Sequence, residues 1–269
     1  MSILNGGRGR RMNRTIAISS LSTLGHEGEG AMTALPPIEV LGVRVISCDV
    51  ETAVATVIDG FAAGRTQRIA FLNHNLAVRL LERGRLCILD AFIVLNDGLA
   101  LDIAARLLRG RRFAANLNGT DLTPKILAAL PKSARIFLYG ARPEVVAEAA
   151  RRLTARGHRV VGFCDGYSCD GATAAAAARE AGAEVALVAL GNPQQELWIA
   201  DYGAESGARL FLGIGAWFDF MTGATRRAPA AIRRARLEWL YRLTLEPKRL
   251  MRRYTIDAAR FFVAALRHG

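Results

Sequence analysis

The segment EVALVALGNPQQE, residues 184–196, decides the fold. Residues 185–190 are all apolar, with no alternation between a dry side and a wet one. A strand of that kind is buried on both faces, as in a parallel sheet covered by helices on either side. The run stops at Gly-Asn-Pro, a turn signal, and Gln195 and Glu196 then precede a helix carrying Trp198. Before it, residues 172–181 are Ala-rich and read as a helix.

Outward from this strand the pattern repeats. RIAFLN (68–73), FIVLND (92–97), ARIFLYG (134–140) and the start of RVVGFCDGY (159–167) read as strands. LAVRLLERG, GLALDIAARLLRG and PEVVAEAARRLTARG read as helices between them, the last opened by Pro143 at a first-turn position. RLFLGIGAWFDF (209–220) closes the series, and IEVLGVRVISCD, from residue 38, adds a short strand pair followed by a helix over 51–63. The predicted fold is α/β: a Rossmann-like parallel sheet with helices on both faces, plus a C-terminal basic helical appendage. Residues 1–36, rich in Gly, Ser, Arg and Thr without periodicity, are expected to be a flexible leader. Residues 37–225 then form the core and 226–269 the appendage.

Hydrophobic content of 51% and charged content of 22% are those of a soluble globular chain. Cys48, Cys87, Cys164 and Cys169 form no CxxC pair, so they are expected as buried thiols in a reducing compartment, not zinc ligands or disulfides. No apolar run reaches the roughly 18–20 residues that span a bilayer. A cytoplasmic location follows as the expectation, with any membrane contact peripheral. The charge is unevenly placed: residues 226–269 hold twelve Lys/Arg against three Asp/Glu, +9 of the chain's +12. Pro229 and Pro247 divide this stretch into two helices. On the second, Leu250, Met251, Tyr254, Ala258, Phe261, Phe262 and Ala265 fall on one face, flanked by Arg249, Arg252 and Arg253. An aromatic face rimmed by arginine suits an interfacial helix on anionic lipid. The plainer reading is a solvated helical face, and a nucleic-acid binder is supported by charge alone, with no recognisable motif.

Parallel sheets bind ligands outside the carboxyl ends of their strands. Four such ends are polar or glycine-rich: Asn73-His74-Asn75, Asn96-Asp97-Gly98, Tyr139-Gly140-Ala141, and the loop from Gly191 to Glu196. Converging at one rim, they make a crevice with amide donors, carboxylates and close backbone approach. Neither a GxGxxG fingerprint nor a P-loop occurs. Asp97 follows an apolar strand and precedes Gly98 and a helix. It suits a cleft-floor carboxylate whose pKa burial raises, able to take a proton from an attacking hydroxyl. By position alone it suits a helix N-cap better. Asn73 and Asn75 can hydrogen-bond a sugar or a uracil, or simply close a turn; His74 between them reads as structural. Gln195 can hold a ligand with both amide ends, while Glu196 favours a helix start. Gly-Thr-Asp at 119–121 reads as an N-cap with an acidic first turn.

Taken together, NDG (96–98), NGTDL (118–122), GNPQQELWI (191–199), GIGAWFDFMTGATRRAP (213–229) and LEWLYRLTLEPKRLMRRY (237–254) resemble the WecG/TagA/CpsF glycosyltransferases, family 26. The resemblance runs from about residue 38 to residue 254. It implies an inverting transfer of a sugar from a UDP-sugar to a polyprenyl-diphosphate-linked saccharide, forming a β-linkage in surface or exopolysaccharide assembly. It further implies a metal-independent reaction with no cofactor, and this sequence has no DxD motif. By the resemblance Asp97 is the general base, Gln195 lies near the donor, and Asn73 and Asn116 stand near the sugar; Asn75, Gly98, Gly140, Gly191 and Glu196 on the same rim complete the candidate donor and substrate site. Arg242, Arg249 and Arg252 match appendage arginines that close over the site at the membrane and neutralise diphosphate. The expected partners are a UDP-sugar, the lipid-linked acceptor and the anionic inner face of the plasma membrane, with no nucleic acid. A homo-oligomer is left open. Two positions depart from the pattern. Asn73 stands where Thr is common and Asn116 where Arg is common, which leaves N-acetylmannosamine, its uronic acid, glucose and glucuronic acid all open as the transferred sugar. The alternative function is a non-catalytic subunit of a polysaccharide assembly complex.

Overall fold

The computed structural model describes residues 35–229, 232, 238–245 and 247–268, without the side chains of Leu35, Arg242, Arg249, Arg253 and His268. The expected leader therefore lies outside the described residues, apart from its last two positions, which are already strand. Strand β1 (Leu35–Val40) turns back on β2 (Val43–Ser47) as an antiparallel pair. Then come α1 (Val50–Ala62), β3 (Gln67–Leu72), α2 (His74–Glu82), β4 (Ile93–Asn96), α3 (Leu99–Arg109) and α4 (Gly119–Ala129). A second run follows: β5 (Arg135–Gly140), α5 (Pro143–Ala155), β6 (Arg159–Cys164), α6 (Gly171–Glu180), β7 (Val185–Ala189), α7 (Gln194–Tyr202), β8 (Leu210–Gly213) and α8 (Trp217–Thr222). The C-terminal segment adds α9 (Glu238–Leu245), α10 (Pro247–Arg252), one π turn over Arg253–Asp257, and α11 (Ala258–His268). The eight strands form one sheet in the order β1-β2-β4-β3-β8-β7-β5-β6, parallel everywhere except at the β1–β2 edge. The expected Rossmann-like α/β sheet with a helical C-terminus is the observed one.

Side chains leave a strand alternately to its two faces. Ile69, Phe71, Leu138, Leu187 and Leu212 enter a core shared with α1, α4, α5 and α8. Their neighbours Ala70 and Leu72 pack on the opposite face with α2 and α3. Phe137, Tyr139, Val188 and Phe211 do the same with α6 and α7. This alternation explains why residues 185–190 read as continuously apolar. It also positions the site. Strand β3 hands the chain to α2 on one face, while its neighbour β8 hands it to α8 on the other, so a crevice opens at their carboxyl ends.

The C-terminal segment departs from the expectation of an interfacial helix. Leu250, Phe261 and Ala265 are fully or almost fully buried, and Phe261 and Ala265 belong to the same apolar cluster as Leu76 of α2 and Leu101 of α3. Of the face predicted to meet lipid, these three residues are core, while Tyr254, Ala258 and Phe262 are half-buried. Met251, predicted on that face, is exposed. Among the described residues, three ion pairs tie the segment to the core: Arg79–Asp257 at 3.2 Å, Arg260–Glu82 at 2.7 Å and Arg227–Asp121 at 2.7 Å. Of the helix expected between Pro229 and Pro247, α9 is observed and residue 232 is helical; the rest lies outside the described residues. No helix among the described residues is long and apolar enough to cross a membrane. The cysteine expectation holds for burial only at Cys48, since Cys87 is exposed and Cys164 and Cys169 are half-buried; all four are free thiols.

Candidate functional site

The crevice contains two cavities that meet at one carboxylate. The smaller, about 180 Å³, lies over the carboxyl ends of β3, β7 and β8 and is lined by Gly191, Asn192, Gln195, Gly213, Gly215 and Thr120. The larger, about 290 Å³, lies between α3, the start of α4 and the C-terminal segment, with Asn116, Asn118, Asp121, Trp239, Tyr254 and Phe262 in its wall. Asn73 and Asp97 line both.

Asp97 is not the helix cap. Its backbone N–H donates to the Leu72 carbonyl, and the N-cap of α3 is Gly98, at φ +93° and without a side-chain cap. A positive φ there favours glycine and leaves the preceding carboxylate directed at the cavities rather than at the helix. The Gly98 N–H donates to Asn116 Oδ1 at 3.0 Å, and Asn96 Nδ2 donates to the Ala115 carbonyl at 2.8 Å. Asn116 thus ties the following loop to the end of β4 as well as lining the larger cavity.

Asn73 does three jobs at once. As N-cap of α2 its Oδ1 accepts from the Leu76 N–H at 3.0 Å. The same oxygen accepts from Asn192 Nδ2 at 3.3 Å, and its Nδ2 donates to Asp97 Oδ2 at 3.0 Å. The helix therefore begins two residues before the predicted LAVRLLERG, because Asn73 is a good cap. This places His74 and Asn75 in the buried first turn. Asn75 lines neither cavity. His74 does line the larger one and packs on Tyr254 and Phe261, with ring centroids 5.9 and 6.5 Å away.

The chain of amides continues through the PQQE loop. Gln195 Nε2 donates to Asn192 Oδ1 at 3.1 Å and to Glu196 Oε1 at 2.8 Å, and its Oε1 accepts from the Gly215 N–H at 2.9 Å. Both ends of this amide, predicted to hold a ligand, are engaged by the protein. Gln195 fixes the glycine loop after β8 against the one after β7, and through Asn192 and Asn73 it is joined to Asp97. Glu196 lines neither cavity and is fully buried. Burial pushes its carboxyl up to about 8, against the pull of the Gln195 hydrogen bond, and its Oε2 has no partner among the described residues. The deep burial predicted for Asp97 belongs to Glu196; Asp97 is half-buried.

Gly140 lies outside both cavities. Its φ is +111°, and a Cβ there would sit 2.5 Å from the Ala189 carbonyl, so this glycine serves the close approach of β5 and β7. Asn118 is the N-cap of α4, in place of the predicted Gly-Thr-Asp: its Oδ1 accepts from the Asp121 N–H at 3.0 Å. Arg252 is exposed and lines neither cavity, and the side chains of Arg242 and Arg249 lie outside the described residues.

Sequence reasoning missed Asn192, Asn118, Trp239 and Tyr254 as site residues. Tyr254 was assigned to lipid because its spacing is amphipathic, yet its ring lies tilted against that of Trp239, centroids 5.6 Å apart, in the wall of the larger cavity. The Trp239 indole N–H is buried and has no partner among the described residues. Arg227 was also passed over. It links Asp121 to Glu238 of α9, at 2.7 and 3.7 Å, and so holds the cavity wall to the core.

Comparison with known proteins identifies the family. A curated relative from Bacillus spizizenii, described as N-acetylglucosaminyldiphosphoundecaprenol N-acetyl-beta-D-mannosaminyltransferase, is 33% identical over 66% of this chain and 70% of its own length. A second, of the same description from Bacillus subtilis, is 33% identical over 61% of this chain and 64% of its own. The sequence profile described as the Glycosyl transferase WecG/TagA/CpsF family matches residues 38–269. The chain belongs to the WecG/TagA/CpsF glycosyltransferase family.

Proposed function

We propose that this glycosyltransferase moves a sugar from a UDP-sugar to a polyprenyl-diphosphate-linked saccharide, with inversion at the anomeric carbon. The observation that carries the reading is one carboxylate, Asp97, shared by two cavities and held by Asn73 Nδ2 at 3.0 Å. The smaller cavity takes the donor, beneath backbone N–H groups of the loops after β7 and β8, which suit phosphate oxygens. The larger takes the acceptor sugar. Asp97 accepts the proton of the acceptor hydroxyl as that oxygen bonds to the anomeric carbon. The bond from that carbon to the nucleotide diphosphate breaks, and the diphosphate leaves with the electron pair. Approach from the cavity opposite the leaving group inverts the centre in one displacement.

The relatives' descriptions support N-acetylmannosamine as the sugar and an N-acetylglucosaminyl lipid diphosphate as the acceptor, with glucose or glucuronic acid as alternatives. We assign the reaction no metal or other cofactor, a cytoplasmic location on the inner face of the membrane, and a place in surface polysaccharide assembly. Arg242, Arg249 and Arg252 are assigned to the acceptor's diphosphate and to anionic headgroups. The test is an assay of purified protein with a panel of UDP-sugars and lipid-diphosphate acceptors, with and without EDTA. Transfer is expected, insensitive to EDTA, and Asp97→Asn should lower turnover about 10²–10⁴-fold without loss of fold. Unchanged turnover in Asp97→Asn removes Asp97 as the base. No transfer from any donor, with Asp97→Asn still functional in cells, favours the non-catalytic subunit.

A further inference from the structure

The larger cavity does not close at its outer end. Along α3, Leu99, Ile103 and Leu107 recur every fourth residue, which places them in one stripe on the outer face. Leu99 and Ile103 line the cavity, immediately after Asp97 and Gly98, whereas Leu107 does not. Their exposures are 39%, 38% and 72%, so the stripe becomes barer with distance from the carboxylate. Helix α11 packs on α3 and repeats the arrangement. Ala258 and Phe262 line the cavity, and Leu266, the next residue at the same spacing, is 70% exposed. Two adjoining helices that each end an apolar stripe in a leucine this bare mark a surface built to be covered. Eight residues of helix carry the α3 stripe about 12 Å from the site. At its far end stand the exposed Arg106 and Arg112, and the exposed Arg267 follows Leu266.

We propose that these two stripes form an open groove for the isoprenoid chain of the lipid-linked acceptor, running from the cavity at Asp97 out to the bilayer surface. The assignment rests on the reading above that the acceptor is a polyprenyl diphosphate. It differs from the sequence expectation in adding α3 of the core and in using only Ala258, Phe262 and Leu266 of the C-terminal helix, because Phe261 and Ala265 of the predicted aromatic face are buried. Two observations select this occupant. The groove is continuous with the reacting carboxylate, so whatever fills it is tethered to the group that enters the cavity. It also ends in arginines, which suit the headgroups of an anionic leaflet. An apolar chain with a polar, reacting head and a membrane-embedded tail meets both conditions.

The test uses Leu107→Glu/Leu266→Glu, a double variant at exposed positions that leaves the cavity wall untouched. Binding is read from Trp239 fluorescence with farnesyl diphosphate and, separately, with inorganic diphosphate. Wild type should bind the isoprenoid ligand at least about tenfold more tightly than diphosphate, and the variant should lose most of that preference. In turnover, the ratio of rates on a polyprenyl acceptor to rates on a short-alkyl diphosphate acceptor should fall by a similar factor. Equal binding of the two ligands by wild type overturns the groove, as does a variant that keeps both the preference and the rate ratio. If the variant only converts a self-associated protein to monomers, the face is an interface between copies and the lipid assignment is wrong. A wild type that transfers no sugar but shows the variant-sensitive preference refutes the glycosyl-transfer reading and leaves the groove standing.

Discussion

The sharpest consequence of the amide chain concerns Asn73→Asp. Aspartate caps a helix as well as asparagine does, so α2 keeps its first turn and the melting temperature should hold to within a few degrees. What changes is the atom facing Asp97. Nδ2, now 3.0 Å from Asp97 Oδ2, becomes a carboxylate oxygen. Two carboxylates at that distance cannot both ionise freely. At about 4 Å and an effective dielectric near 20 the repulsion is about 4 kcal/mol, or about 3 pKa units. Asp97 is only half-buried, and solvent in the open cavities screens the pair, so about 1–2 units is the expected outcome. The sign follows from the base role. A base works ionised, so raising its pKa moves the acid limb of the kcat/KM profile to higher pH by that amount. Rate is lost at low pH and recovered above it. Asn73→Ala is the control: it removes the cap, costing about 1 kcal/mol, and moves the limb less. Initial rates from about pH 5 to pH 9 measure the limb, and a carbon-13 carboxylate titration measures the pair without any substrate. An acid limb unmoved in Asn73→Asp would refute the coupling of Asn73 to Asp97.

Glu196→Gln tests the buried carboxyl. Its folded-state pKa of about 8 stands above the usual 4.5, so the folded chain keeps a proton that the unfolded chain sheds. Its contribution to stability is therefore full below about 4.5, declines as pH rises toward 8, and levels off above. Thermal denaturation should show wild type losing ground to Glu196→Gln across that window, and a constant difference would contradict the assignment. Phe261→Ala should destabilise by about 3–5 kcal/mol, whereas Val263→Ala on the same helix should cost under about 0.5 kcal/mol; equal costs would mean that α11 is not docked as described. Removing residues 226–269 exposes the α2 and α3 faces that Phe261 and Ala265 cover, so a truncated chain should melt well below full length, which calorimetry measures. Gly140→Ala, with its Cβ 2.5 Å from the Ala189 carbonyl, should destabilise the β5–β7 pairing at the strand ends without altering either cavity, read as a lowered melting temperature with unchanged KM.

Periodicity made the sheet legible, because burial on both faces leaves a strand no polar position, as residues 185–190 show. Turn chemistry made the strand ends legible too, and so located Asp97, Asn73 and the PQQE loop on one rim. Local spacing could not assign jobs within that rim. Asp97 had the position of a cap, but the cap of α3 is Gly98, since the backbone leaves the strand at a φ open to glycine. Gln195 had the chemistry of a ligand holder, but its two amide ends meet Asn192 and Glu196 beside it and Gly215 on the loop after β8, a contact only the fold brings about. The C-terminal segment shows the same division most plainly. Its sequence determined an amphipathic helix with an aromatic face. Whether that face met lipid or protein depended on the apolar area that α2 and α3 offered, which no local pattern records. Tertiary packing buried Phe261 there and left Leu266 on the neighbouring stripe bare, because a helix has one best-packed face and its neighbours decide which.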